Sequence, residues 1–186
     1  MVRKKKTKAA VLIISAVIVA LSIVHLVIPI PLQQLGIGKG AALSSRLTYH
    51  FFHANLIHSS LNAWCLLSLA FIYDITAWEL LIAYTIASSY PIDTITSFTC
   101  QLSIVNCQLS IVNCQLPTVG LSGICFALIG QVQYRVQRKL YYSTCVCAMI
   151  ALGFFFPNAN ALLHLYCYVV GLMVGFLNSP LPHHAH

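Results

Sequence analysis

Apolar residues fill six long stretches of this chain, at approximately 9–30, 53–73, 77–95, 117–134, 140–157 and 160–178, with polar and turn-forming residues gathered between them. A helix needs roughly 20 consecutive apolar residues to cross a bilayer core about 30 Å thick. Each stretch is therefore read as one membrane-spanning helix. The first contains no Lys, Arg, Asp or Glu between Ala9 and Ile30, whereas the third has Glu79 and Asp93 near its ends and Pro91 interrupting it. The basic start from Arg3 to Lys8, followed by an apolar run, also has the outline of a cleavable signal. That run is longer than a signal core and ends in Ile28-Pro29-Ile30-Pro31 without a small-x-small cleavage site, which favours an uncleaved first span.

Composition agrees. Hydrophobic residues make up 59% of 186 positions and charged residues 7%, against about 25% charged in an ordinary soluble domain. Mean hydropathy is +0.85. Water is not the main solvent of such a chain, and the expectation is an all-α, multi-pass protein of the cell membrane, in contact with the lipid bilayer. A net charge of +7 raises the question of nucleic acid, but its placement excludes that partner. Five of the ten basic residues are Arg3, Lys4, Lys5, Lys6 and Lys8, and three more are Arg135, Arg138 and Lys139. Short loops rich in Lys and Arg stay cytoplasmic. The two clusters agree on an even number of crossings between them, so both termini are expected to be cytoplasmic. The organisation expected is a basic N-terminus at 1–8, a six-helix membrane domain at 9–178 and a tail at 179–186.

Two exterior loops interrupt the pattern. Leu32 to His50 is long and mixed in polarity, with Gly36, Gly38 and Gly40, and is expected to lie partly in the membrane interface. The loop at 100–116 carries a tandem repeat: Cys100-Gln-Leu-Ser-Ile-Val-Asn106 recurs unchanged at 107–113, followed by Cys114-Gln115-Leu116. It has no charges and too few heptads for a coiled coil, and it is read as an in-frame expansion with no chemistry of its own. Cys65, Cys125, Cys145, Cys147 and Cys167 fall within apolar stretches, where Cys acts as a small hydrophobe. Only Cys100, Cys107 and Cys114 are exterior, too few for a disulfide framework, and no paired C-x-x-C spacing suggests zinc.

Polar groups at membrane depth are costly and mark function. The second stretch opens His53-Ala-Asn-Leu-Ile-His58-Ser-Ser-Leu-Asn62, the fourth holds Gly120-Leu-Ser122-Gly123, and the sixth carries His164. His58 and Asn62 are four apart and share a helix face. All three stretches run from outside to inside, with His58, Ser122 and His164 each roughly 6–8 Å past its helix start, so these groups are expected in one outer stratum. A serine hydroxyl becomes a nucleophile when a neutral imidazole takes its proton. Acyl transfer also needs donors for the oxyanion, and His58, Asn62 and the N–H of Ser122 qualify. Gly120 and Gly123 permit close approach to the serine. Taken singly, a membrane Ser is more often a packing residue, and Gly171-Leu-Met-Val-Gly175 more often a helix-packing face. His25 and His50 read as interfacial, and His183, His184 and His186 as a tail.

At these residues the sequence resembles the rhomboid intramembrane proteases, whose signature joins H-x-x-x-x-H-x-x-x-N, G-x-S-G and a His in a glycine-spaced last helix. Here these are His53, His58 and Asn62; Gly120, Ser122 and Gly123; and His164 with Gly171 and Gly175. The resemblance covers most of residues 9–178. It implies Ser122 as nucleophile and His164 as general base, without a catalytic carboxylate. His58 and Asn62 would bind the oxyanion, with Phe126 packing on the catalytic His. Arg46 and Asp74 fall where relatives carry Arg and Glu. Leu163 and Cys167 stand where relatives prefer Ala and Gly. The expected substrates are single- or multi-span membrane proteins cut near their exterior end, with no metal and no cofactor. Two other readings remain open: a non-catalytic relative that binds membrane clients, and a small transporter or metal-handling protein using its membrane histidines.

Overall fold

The computed structural model describes residues 2–28, 31–95, 117–155 and 159–179. The tandem repeat at 100–116, with its three cysteines, and the tail histidines lie outside the described residues. The described elements are helices: α1 (Val2–Val27), α2 (Leu32–Leu35), α3 (Leu43–Thr48) running into a 3₁₀ turn (Tyr49–Phe51), α4 (Leu56–Ile72), α5 (Ala77–Ser88), α6 (Ser122–Val132) followed by a 3₁₀ turn (Gln133–Arg135), α7 (Lys139–Gly153) and α8 (Ala161–Asn178). One isolated antiparallel bridge joins Ile37 to Thr118.

Local chemistry sets the starts. Asn55 precedes α4 and its Oδ1 accepts the His58 N–H at 2.8 Å, filling an N-terminal donor that the helix leaves open. Thr76 and Glu79 form a reciprocal capping box on α5. Several expected spans are shorter as helices. The third stretch is helical from Ala77 only to Ser88, with a separate turn at 92–95 after Pro91, a residue with no N–H to continue the ladder. The fourth starts at Ser122 rather than 117, because Gly120 adopts φ +119, a conformation that breaks any helix. His53, expected on the second helix, lies in the turn before α4.

Among the described helices, Thr7–His25 and Ala161–Asn178 are each long and apolar enough to cross a membrane, and Leu43–Phe51 with Leu56–Ile72, bent by 85°, would make a third. The helices α5 and α7 are apolar but have 12 and 15 residues. The 11 residues of α6 are all buried in protein. Large apolar side chains on the other helices point outward, among them Ile13, Leu140, Leu152 and Leu177. An apolar exterior around a buried helix is the arrangement that lipid, not water, rewards.

The helix α1 lays a buried stripe of Thr7, Val11, Ser15, Ile18 and Ser22 along one side, and its principal neighbour is α4. The closest packing joins α6 to α8. A Cβ added at Gly171 would lie 2.2 Å from the Ala127 carbonyl oxygen, one at Gly175 2.6 Å from that of Gln131, and one at Gly130 2.4 Å from that of Tyr168. Backbone touches backbone along this seam, so Gly171-x-x-x-Gly175 is a packing face, as small residues at this spacing usually are.

All three acidic residues are ion-paired: Asp74 with Lys8 at 2.8 Å, Glu79 with Arg135, and Asp93 with Arg46. The interfacial reading of His50 is corrected. It is fully buried, with Nε2 3.0 Å from Ser88 Oγ, because the 3₁₀ turn directs it inward against α5. Cys65, Cys125, Cys145, Cys147 and Cys167 are free thiols.

Candidate active site

Ser122 is the first residue of α6 and is 9% exposed. The turn that delivers it is built at Gly120. Its φ of +119 is open to glycine and strained for any other residue. A Cβ there would lie 3.1 Å from His58 Cε1, 3.4 Å from Asn62 Nδ2 and 3.4 Å from His53 Cδ2. One missing side chain therefore lets two histidines and an asparagine from the α4 segment close on the backbone just before Ser122.

His53 has a defined task in this turn. Its Nε2 accepts the Leu121 N–H at 3.2 Å, so the neutral ring carries its proton on Nδ1. The Gly120 N–H donates to the Tyr49 carbonyl at 3.0 Å. These two bonds satisfy the amides immediately ahead of the serine and fix the approach to α6. The Tyr49 contact had no signal in the sequence, since a backbone carbonyl leaves no side-chain signature. His58 stands edge-on to His53, with ring centroids 5.3 Å apart and planes at 78°. The Asn62 side chain is buried, and its Nδ2 has no hydrogen-bond partner. A buried amide donor left unpaired costs about 1–3 kcal/mol, which marks a site awaiting an acceptor.

His164 lies in the first turn of α8. Its imidazole stacks on Phe126, with centroids 4.3 Å apart and planes at 14°. Phe126 is four residues after Ser122 on the same face of α6, so the stack brings the imidazole beside the start of that helix. Ser122 Oγ and His164 share no hydrogen bond in this arrangement. In resting sites such bonds are often long and tighten when substrate arrives.

Gly123 is the point where α5, α6 and α8 meet. A Cβ added to it would lie 3.2 Å from Ala87 Cβ, 3.4 Å from Cys167 Sγ and 3.5 Å from Leu163 Cδ1. Leu163 and Cys167 thus fill the space beside this glycine. Both are fully buried there. The structure therefore gathers His53, His58, Asn62, Gly120, Ser122, Gly123, Phe126 and His164 into one region from three separate segments. Among the described residues, no group of three or more His, Cys, Asp and Glu is placed to share a metal ion.

A family model described as the Rhomboid domain matches residues 41–184, a span that contains every one of these groups. No curated protein matches the chain.

Proposed function

Because the chain belongs to the rhomboid family, we propose that it is an intramembrane serine endopeptidase in which Ser122 and His164 form the catalytic dyad. The observation that carries this reading is the stack of His164 on Phe126, one helical turn from Ser122. His164 accepts the Ser122 proton as Oγ attacks a substrate carbonyl. The unpaired Asn62 Nδ2, His58 and the Ser122 N–H donate to the oxyanion. One such donor typically contributes about 2.7–4 kcal/mol to the transition state. His164 then gives the proton to the departing amine, and a water activated by the same imidazole releases the acyl group. Phe126 orients the ring, a task that a carboxylate performs in triads.

The substrates are transmembrane proteins cut near their exterior end, where a helix that unwinds readily exposes the amides it otherwise hides. The chain crosses the cell membrane six times, by α1, α4, α5, α6, α7 and α8, with both termini cytoplasmic. A helix as short as α6 is no obstacle, because it is sheathed in protein and need not match the lipid core itself. Co-expression with a single-span substrate tests the reading. Wild type should yield a cleaved product, and Ser122→Ala and His164→Ala should each abolish it while still inserting in the membrane. A second reading, a non-catalytic client-binding member, is favoured by the unformed Ser122–His164 hydrogen bond. It requires that Ser122→Ala and wild type leave the substrate equally intact.

A further inference from the structure

Four residues ahead of each dyad member stands a polar side chain, Thr118 before Ser122 and Asn160 before His164, and these two touch. Asn160 Nδ2 donates to Thr118 Oγ1 at 2.8 Å. The same Asn160 caps α8, its Oδ1 accepting the Leu163 N–H at 2.9 Å. That second bond fixes the amide's orientation, because a flipped amide would set its NH₂ against the Leu163 N–H. The His164 N–H itself donates to the Asn160 carbonyl at 3.1 Å. Thr118 is held equally firmly. Its N–H donates to the Ile37 carbonyl at 2.8 Å, and its carbonyl accepts the Ile37 N–H at 2.9 Å. The buried Tyr90 is a neighbour of the Asn160 side chain.

We propose that Asn160 and Thr118 are positioning residues, a tie that sets the start of α8 against the segment leading into α6 and so fixes the distance between His164 and Ser122. This rests on the dyad reading above. The seam glycines bring α6 and α8 backbone to backbone further along, at Ala127 and beyond, whereas toward their outer ends the helices meet through side chains, Leu163 and Cys167 beside Gly123 and His164 on Phe126. The tie closes that end, where proton transfer requires the two groups to meet. A cap alone would account for the Leu163 bond and would stabilise α8 without reference to any other helix. It does not account for Nδ2 reaching across 42 positions of sequence to the hydroxyl of a residue whose backbone is itself clamped.

The two roles separate by experiment. Thr118→Val removes the hydroxyl, keeps the branched shape, and leaves both the Asn160 cap and the Ile37 backbone pairing intact. Cleavage of a transmembrane substrate is measured for kcat and KM, alongside the rate at which Ser122 is labelled by a fluorophosphonate and the unfolding temperature in mild detergent. Thr118→Val should lower kcat and the labelling rate together by about tenfold, since small misplacements of reacting groups carry losses of this order or more. KM and unfolding temperature should stay near wild type, and Thr118→Ser should restore both rates to within about twofold of wild type. If Thr118→Val cleaves and labels at the wild-type rate, the tie is overturned and the dyad stands. A fall in unfolding temperature with kcat and labelling unchanged also overturns it, because the bond is then merely structural. If wild type neither cleaves nor labels, and so matches Ser122→Ala, the dyad reading falls and takes the tie with it.

Discussion

The seam between α6 and α8 and the outer frame of residues 36–55 hold the same groups by opposite means. In the seam, glycines remove side chains until one helix backbone rests on the other, as at Gly171 on Ala127. In the frame, a short helix, a 3₁₀ turn and the loops around them are tied to neighbouring segments one polar group at a time. Tyr49 Oη donates to the Ala87 carbonyl at 3.0 Å, Tyr84 Oη to the Leu47 carbonyl at 2.8 Å, and Arg46 to the Tyr90 carbonyl at 3.0 Å. The physics differs because the needs differ. Two helices already satisfy their own amides, so in lipid only contact distance remains to be set. A non-helical segment at membrane depth must find partners in protein for each N–H and C=O. The seam is therefore sensitive to volume and indifferent to charge, and the frame is the reverse.

The largest effect should come from adding volume to the seam. Gly171→Val places a branched side chain where even a Cβ would lie 2.2 Å from a carbonyl oxygen. Overpacking typically costs about 1–3 kcal/mol and more when backbone must move. Met173, two residues on and 60% exposed, is the control: Met173→Val should change stability by about 0.5 kcal/mol or less. Equilibrium unfolding in mild detergent measures both. Equal stabilities for the two variants would erase the distinction drawn for the seam.

An intermediate effect is expected where the two regions meet. Gly120→Ala forces a side chain onto φ +119 and against His58 Cε1, at a cost of about 1–3 kcal/mol in backbone strain. It should also lower kcat, since the same turn delivers Ser122. A variant with wild-type turnover and stability would mean that the turn is not what aims the serine.

The sequence revealed the seam more fully than the frame, for a physical reason. A helix writes its buried face into a periodic pattern, so Gly171 and Gly175 were recognisable as packing residues. The frame has no period. His50 read as interfacial because nothing in its neighbours signals the 3₁₀ turn that buries it against Ser88. The 77–95 stretch read as one span because its apolar content continues past Ser88, although its helix does not. The bond from Asn160 to Thr118 depends on tertiary placement that no local pattern encodes.

The smallest effect concerns charge in the frame. Asp93 Oδ1 accepts the Gly40 N–H at 2.6 Å, and Oδ2 pairs with the Arg46 guanidinium. The Gly40 hydrogen bond, with the Arg46 charge adding to it, holds the Asp93 carboxyl below its ordinary value of 3.8. A carboxylate with a depressed folded pKa stabilises the fold above its unfolded value, and that contribution is lost as pH falls through the lower, folded value. Asp93→Asn removes it at every pH. At pH 7 the Gly40 amide of Asp93→Asn should therefore exchange hydrogen faster than in wild type, by about two- to fivefold for an exposed pair. The gap should begin to close only below pH 3.8 and vanish beneath the folded value, where wild-type Asp93 is itself protonated. Amides of α6 along the seam should exchange alike in both proteins across that range, because the Ala127, Gln131, Gly171 and Gly175 contacts contain nothing that titrates there. A pH-independent gap at Gly40 would mean that Asp93 acts by shape rather than charge. A gap that spread into α6 would mean that the frame and the seam are one unit.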